Sequence, residues 1–163
     1  APDLPFGLGS GAGTIYGTTG GVAEAVVRHC MPDKSRNTLR ALEYSPLRGN
    51  ESIREATIPV GDREIKLAVV HGLINAQKLL KEIDEGTAYY DLIEVMTCPN
   101  GCVGGAGQPY GLKAKKQARS AGLYATDRSA PFKRAEYNPG VTSILQKLTH
   151  EQRHELLHVS YQK

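Results

Sequence analysis

The chain has no tryptophan, two phenylalanines and two methionines among its 163 residues, so nothing in it offers the interleaved aromatic platform on which single-stranded nucleic acid stacks. It also lacks a charge excess. Twenty basic against seventeen acidic residues leave a formal charge of +3, too little to point to nucleic acid or an anionic membrane as a partner. No apolar run reaches the ~20 residues of a bilayer-crossing helix. Cysteine is scarce and odd in number. Three thiols cannot all enter a paired disulfide framework, and a reducing compartment or a metal site suits them better. The chain begins at Ala1 rather than Met, with no charged and apolar leader, and reads as processed or excised, excision being the preferred reading. The residue in excess is glycine, eighteen in all, against a hydrophobic share of 40% and a charged share of 23% that are ordinary for a globular domain.

The glycines gather first between Gly7 and Gly21, which then run into Val22, Val26 and Cys30, an apolar stripe at helical spacing with Glu24 and Arg28 paired i,i+4 on the opposite side. Amides at such a helix start can cradle an anion. Yet Gly11-Ala-Gly13 follows no strand and completes no G-x-G-x-x-G, so backbone packed on backbone is expected there rather than a nucleotide. From Met31 to Asn50 the polar, proline-broken pattern predicts exposed connecting structure. Ser52 to Pro59 leads through the Gly61-Asp62 turn into Ile65–His71, whose Leu67–Val70 run is apolar on both faces, as in a strand buried under helices. Ala76, Leu79, Leu80 and Ile83 then recur at helical spacing, with Lys78, Lys81 and Glu82 outside them and Gly86 as a stop. Asp91–Val95 is a second strand. Strand, helix and strand over this length predict a parallel βαβ unit, whose ligands gather beyond the carboxyl ends of the strands, here at His71-Gly72 and Met96-Thr97-Cys98. Lys113, Lys115, Lys116 and Arg119 read as the solvated face of a helix. Asn138-Pro139 caps a helix carrying Val141, Ile144, Leu145 and Leu148, and Thr149-x-x-Gln152 is a capping box for a last one. The expected class is α/β, a parallel βαβ-based sheet flanked by helices with an extended, helical C-terminal arm.

Cys98-Pro-Asn-Gly-Cys102 sits where that geometry expects a site. Thiolates are soft ligands for iron or zinc, and the glycines around them let backbone approach a bulky centre, although the spacing alone fits two incidental cysteines equally well. A four-iron four-sulfur cluster ordinarily takes four thiolates. This chain has three, with Cys30 far off in sequence. His150, His154 and His158 form a stripe of period four, for which plain surface is the preferred reading and a divalent ion the alternative. His71 reads as a structural, hydrogen-bonded histidine before a proton carrier. Met96 is either core or a thioether lid beside a metal centre.

The run Glu94-Val-Met96-Thr-Cys98-Pro-Asn-Gly101-Cys102-Val-Gly-Gly105-Ala-Gly107-Gln108-Pro109 resembles the third signature of the iron-only (FeFe) hydrogenases, E-x-M-x-C-x-x-G-C-x-x-G-G-G-Q-P. Gly11–Val22 with Glu24-Ala25, and Val69–Ala76, resemble other stretches of the same catalytic domain. Asn138-Pro139 and Leu156-Leu-His-x-x-Tyr161 resemble its tail, a separate small subunit in some members. The resemblance covers nearly the whole chain. It implies two parts, residues 1–137 of large-subunit type and 138–163 of small-subunit type. It also implies an H-cluster, a four-iron four-sulfur cluster joined through a cysteine sulfur to a two-iron subsite. Cys98 would then ligate, Cys102 would ligate and bridge, and Met96 would pack against the two-iron subsite. Gly101, Gly105, Gly107 and Gln108 would line the cofactor.

Two family motifs, T-S-C-C-P-x-W and P-C-x-x-K, are absent, and with them two cluster cysteines, a proton-relay cysteine and a lysine. The expectation is therefore a C-terminal piece or a split polypeptide, inactive alone, that needs the missing N-terminal part of the domain. In the complete protein the resemblance implies reversible reduction of protons to dihydrogen with ferredoxin or another redox carrier, in the cytoplasm or else the periplasm. Ala106 replaces the middle glycine of the motif. A sensory hydrogenase-like protein, an iron–sulfur assembly factor and a plain metal-binding module using Cys98, Cys102 and His71 are the competing readings.

Overall fold

The computed structural model describes residues 7–32 and 35–159. Tyr161 of the tail motif lies outside them. Ten helices and strands follow in the order α1 (Gly11–Ile15), α2 (Gly21–Cys30), α3 (Arg36–Glu43), β1 (Ile53–Val60), β2 (Arg63–His71), α4 (Leu73–Asp84), β3 (Leu92–Met96), α5 (Lys113–Ser129), α6 (Pro139–Leu145) and α7 (His150–Leu157). Short 3₁₀ turns at Cys102–Gly104 and Ala135–Tyr137 complete the set among the described residues.

The three strands form one sheet in the order β1-β2-β3, with β2 central and both neighbours at edges. β2 pairs β3 in parallel, from Leu67 opposite Leu92 to His71 opposite Met96, which is the expected βαβ unit with α4 as its crossover. The sheet is nevertheless mixed. Ser52–Pro59 contributes β1, an antiparallel hairpin partner whose register runs from Ile53 opposite Val70 to Val60 opposite Arg63. Leu67, Ala68, Val69 and Val70 are all buried, because one face of β2 meets α2 and the other meets α4. Burying each large side chain there is worth about 1.5–3 kcal/mol. Leu80 departs from the expected inner stripe of α4 and lies 55% exposed, leaving Ala76 and Leu79 to face the sheet.

Helix α2 turns the opposite way from its hydrophobic pattern. Ala23, Glu24, Val27 and Arg28 are buried, whereas Val26 is 38% exposed and Cys30 is exposed. The reason is a buried charge network. Arg28 donates to Asp127 of α5 at 2.8 and 2.7 Å and to Glu24 at 2.6 Å, while Arg48 donates to Glu24 at 2.7 and 2.8 Å and to Asp127 at 3.0 Å. Two guanidiniums thus neutralise two carboxylates, the condition under which buried ions are tolerated.

The segment Met31–Asn50 is likewise not merely exposed. It forms α3 and sends Leu42 and Leu47 into the core beside Ala23, Val27 and Leu67. Its irregular backbone is satisfied from inside by Arg54 of β1, which donates to the carbonyls of Pro46, Leu47, Gly49 and Glu51 at 2.9–3.2 Å. The arm forms as its caps predict. Asn138 Oδ1 accepts from Gly140 at 2.9 Å, and Thr149 and Gln152 exchange capping-box bonds at 2.9 and 3.2 Å. Helix α6 stops at Leu145, short of Leu148, and neither α6 nor α7 buries a residue; Leu156 and Leu157 are 68% and 66% exposed.

Candidate metal centre

β3 ends at Met96, and the chain then folds into a tight turn at the carboxyl edge of the parallel pair. Gly101 N–H closes on Cys98 O at 3.0 Å, Gly104 on Gly101 at 3.0 Å and Gly105 on Cys102 at 3.0 Å. Asn100 and Gly101 take φ of 68° and 82°, the left-handed region that makes glycine the natural residue at the second position. Cys98 is half-buried, Cys102 exposed, and both are free thiols four residues apart. Met96 is half-buried with its sulfur over Gly101; a methyl carbon on Gly101 would stand 2.9 Å from Met96 Sδ. The turn therefore brings together Met96, Cys98, Gly101 and Cys102. Gly105 folds back against both cysteine residues, where a Cβ would meet Cys98 Sγ at 3.1 Å and Cys102 O at 3.4 Å. Gly107 (φ 86°) and Gln108 are exposed farther along.

The glycine-rich segment before α2 is the floor of this turn. A Cβ on Gly101 would come within 2.7 Å of Thr19 N, and Val103 N–H donates to Gly17 O at 3.1 Å. Cβ atoms at Gly20 and Gly21 would overlap the carbonyls of Leu47 and Ile15, so these glycines serve close backbone packing, as expected. The amides at the start of α2 do hold an anion, and it belongs to the chain itself. Glu94, buried on β3, accepts from Gly20 N–H at 2.6 Å and Ala23 N–H at 2.7 Å.

One residue not apparent in the sequence adjoins the site, and one sequence candidate, His71, lies beside it. Arg119, on the α5 face expected to be solvated, is half-buried and donates to Val103 O at 2.9 Å and Pro109 O at 2.5 Å, bracketing the Gly104–Gln108 stretch. Its spacing with Lys115 and Lys116 gave no hint of this. His71 is buried on the same sheet face as Met96, to which it is register-paired. Burial pushes its imidazole down from the ordinary value, with Arg54 adding to that and the backbone carbonyls of Asn50 and Glu51 opposing it. Its Nε2 finds no hydrogen-bond partner. His150, His154 and His158 lie on an exposed face of the arm, with the last two rings 4.8 Å apart. Among the described residues no group of three or more His, Cys, Asp or Glu converges on a metal position.

The donor set is therefore two soft thiols on a turn whose inner lining is glycine, beside a thioether. That suits an iron–sulfur group and supplies half of the four thiolates such a cluster takes. Residues 1–106 match the family model described as "Iron only hydrogenase large subunit, C-terminal domain". The chain belongs to the iron-only hydrogenase family. Residues 113–163 match the model described as "Iron hydrogenase small subunit". The NADP-reducing hydrogenase subunit HndD of Solidesulfovibrio fructosivorans is 38% identical over 99% of the chain and 28% of its own length. Cytosolic iron-sulfur assembly component 3 of Mus musculus is 33% identical over 89% of the chain and 31% of its own length. Among solved structures, a variant of the [FeFe]-hydrogenase HydA1 from Chlamydomonas reinhardtii superposes with a TM-score of 0.69 at 33% identity, over 98% of this chain and 48% of that one. The chain thus spans about half of this solved relative and under a third of these curated ones.

Proposed function

We propose that this chain supplies the Cys98–Cys102 half of a hydrogenase H-cluster site and that the other half comes from polypeptide of the N-terminal part of the same domain. The observation that carries the reading is the turn itself: Met96, Cys98, Gly101 and Cys102 meet at the carboxyl end of β3, seated on the Gly17–Gly21 segment. When bound, the H-cluster would supply reversible reduction of protons to dihydrogen. The chain's own tasks are to hold and to shield. Cys98 and Cys102 would ligate, Cys102 also bridging, and Met96 would cover one side with a group that neither donates a proton nor competes as a hard ligand. Gly101, Gly105, Gly107 and Gln108 would line the cofactor. Residues 138–163 would act as the small-subunit-like arm.

The exposed edge of α2 (Val26, Cys30) and the apolar tip of α7 (Leu156, Leu157) are the surfaces on which the absent half would close. Electrons would come from ferredoxin or another redox carrier. The three cysteines are free, which suits the cytoplasm. No helix among the described residues is long and apolar enough to cross a membrane.

The second reading, an iron–sulfur assembly role, is favoured by the likeness to cytosolic iron-sulfur assembly component 3 over 89% of the chain. One experiment separates the two. Iron, sulfide and zinc are measured anaerobically in the chain alone and after mixing with a polypeptide that carries the two missing motifs, followed by a hydrogen-evolution assay. Iron and hydrogen evolution only in the mixture support the hydrogenase reading. Iron without hydrogen evolution favours assembly, and stoichiometric zinc in the chain alone favours a plain metal module.

A further inference from the structure

One peptide unit beneath the cysteine turn is held by charge at both ends. The carbonyl of Thr19 accepts from Arg54 Nη2 at 3.0 Å, and the N–H on the other side of the same peptide bond, that of Gly20, donates to Glu94 Oε1 at 2.6 Å. Arg54 also reaches Thr19 Oγ1 at 3.3 Å, and the second oxygen of Glu94 takes Ala23 N–H at 2.7 Å. Both charged residues are buried, at 6% exposure each, and both project from the sheet: Arg54 and Glu94 are register partners of Val69 from its two sides. Neither bond is interchangeable with water. Charge-assisted hydrogen bonds in a dry interior are roughly twice as strong as neutral ones, and they orient what they hold.

The turn closes against the peptide unit immediately before the clamped one, joined to it through the Thr19 Cα. Gly101, between the two cysteines in the chain, packs on this Thr18–Thr19 peptide so closely that a Cβ would stand 2.7 Å from Thr19 N and 3.0 Å from Thr18 C. Gly20 is itself closely packed, since a side chain there would strike Leu47 O and lie 3.1 Å from Arg54 Nη2. The floor is thus fixed laterally by the Met31–Asn50 segment and vertically by the sheet. The covalent path from Glu94 to Cys98 is four residues long, so the residue that pins the floor is tied by the same strand to the thiol above it.

We infer that Arg54 and Glu94 are positioning residues for the Cys98–Cys102 turn, acting as one clamp on the Thr19–Gly20 peptide and setting the placement of the Cys98 thiol before any metal arrives. This rests on the reading of Cys98 and Cys102 as ligands for its purpose, but the clamp itself is tested without metal.

The test is thiol labelling of the metal-free chain carrying Cys30→Ser, with iodoacetamide and peptide mass spectrometry giving separate rates for Cys98 and Cys102. Thermal unfolding is followed alongside, so that labelling through global opening can be subtracted. Glu94→Gln keeps the shape and one acceptor but removes the charge, and Arg54→Lys keeps the charge but loses the fork. Each is expected to raise the Cys98 rate about tenfold, equivalent to about 1.4 kcal/mol, while the exposed Cys102 changes little. The double variant should be no faster than the faster single one. Should Glu94→Gln fail to fold, Arg54→Lys and Gly101→Ala carry the same expectation from the other two sides of the contact. An unchanged Cys98 rate in any folded variant, or additive effects of Glu94→Gln and Arg54→Lys, overturns the clamp. Absence of iron in the complemented wild-type chain would instead overturn the ligand reading and leave the labelling result standing.

Discussion

Replacing Asp127 by asparagine would isolate the buried charge network that turned α2 inside out. In the wild type Arg28 spends two of its donors on Asp127, and Arg48 spends a third there, at 1% exposure for the carboxylate. Asparagine preserves the volume but removes one negative charge, leaving Arg28 with Glu24 alone and Arg48 with Glu24 and the partly exposed Glu43 at 3.6 Å. Breaking a buried pair on one side costs about 3–5 kcal/mol because the surviving charge stays desolvated. For a chain of this size each kcal/mol lowers the midpoint by roughly 2–4 °C, so a fall of about 6–20 °C is expected in a thermal melt followed by circular dichroism. The pH dependence supplies a second signature. Burial raises the Asp127 carboxyl, but the Arg28 hydrogen bonds and the charges of Arg28 and Arg48 outweigh it and hold the group below its ordinary 3.8. A folded value below the unfolded one means the contribution is complete above the unfolded value and is lost as pH falls through the folded one. Asp127→Asn should therefore flatten the acid limb of a stability profile below about pH 4. A loss under about 1 kcal/mol with the acid limb intact would refute the claim that the network holds α2 in place.

Gly101→Ala should destabilise the chain by about 2 kcal/mol or more, since it adds a methyl at φ 82° within 2.7 Å of Thr19 N, and chemical denaturation measures this directly. His71, held below its ordinary 6.5 chiefly by burial, favours the folded state fully above that value and less as pH falls beneath it; the urea midpoint should drop below about pH 6.5 and His71→Asn should reduce that drop. Leu156→Asp should leave the stability of the chain alone within about 0.5 kcal/mol but weaken its association with the complementing polypeptide, seen in sedimentation, if the α7 tip is a closing surface. Cys30→Ser should leave iron uptake in the complemented chain unchanged, whereas Cys98→Ser should abolish it, by metal analysis.

The parts legible in the sequence were those set by local rules. A run apolar on both faces and helical spacing located β2 and α4, Asp91–Val95 marked β3, and their order alone made the pair parallel. Asn138 and Thr149 announced their helices because capping is decided within four residues. The cysteine turn was legible through its motif, and its place at a strand's carboxyl end followed from the βαβ unit. The inversion of α2 was not, because its cause sits 99 residues away in Asp127, an acid on an otherwise basic helix whose partner no periodicity names. Arg54 escaped notice for a related reason. A lone arginine in a strand reads as an exposed position, and only the folded course of residues 46–51 shows how many carbonyls it gathers. Glu94 was visible as a motif letter, but its role required knowing that α2 begins directly above it.

β3 delivers the thiols, and among the described residues it is also an outer strand of the sheet, with no neighbour beyond it. Only five residues long and with Val95 half exposed, it has an outer edge with no strand partner among the described residues. Such a rim is where a second copy adds itself as a strand, the route by which open sheets polymerise. Preparation of this polypeptide by itself therefore calls for dilute, cold handling, and a soluble yield that rises on co-expression with its complement would mark that rim as covered.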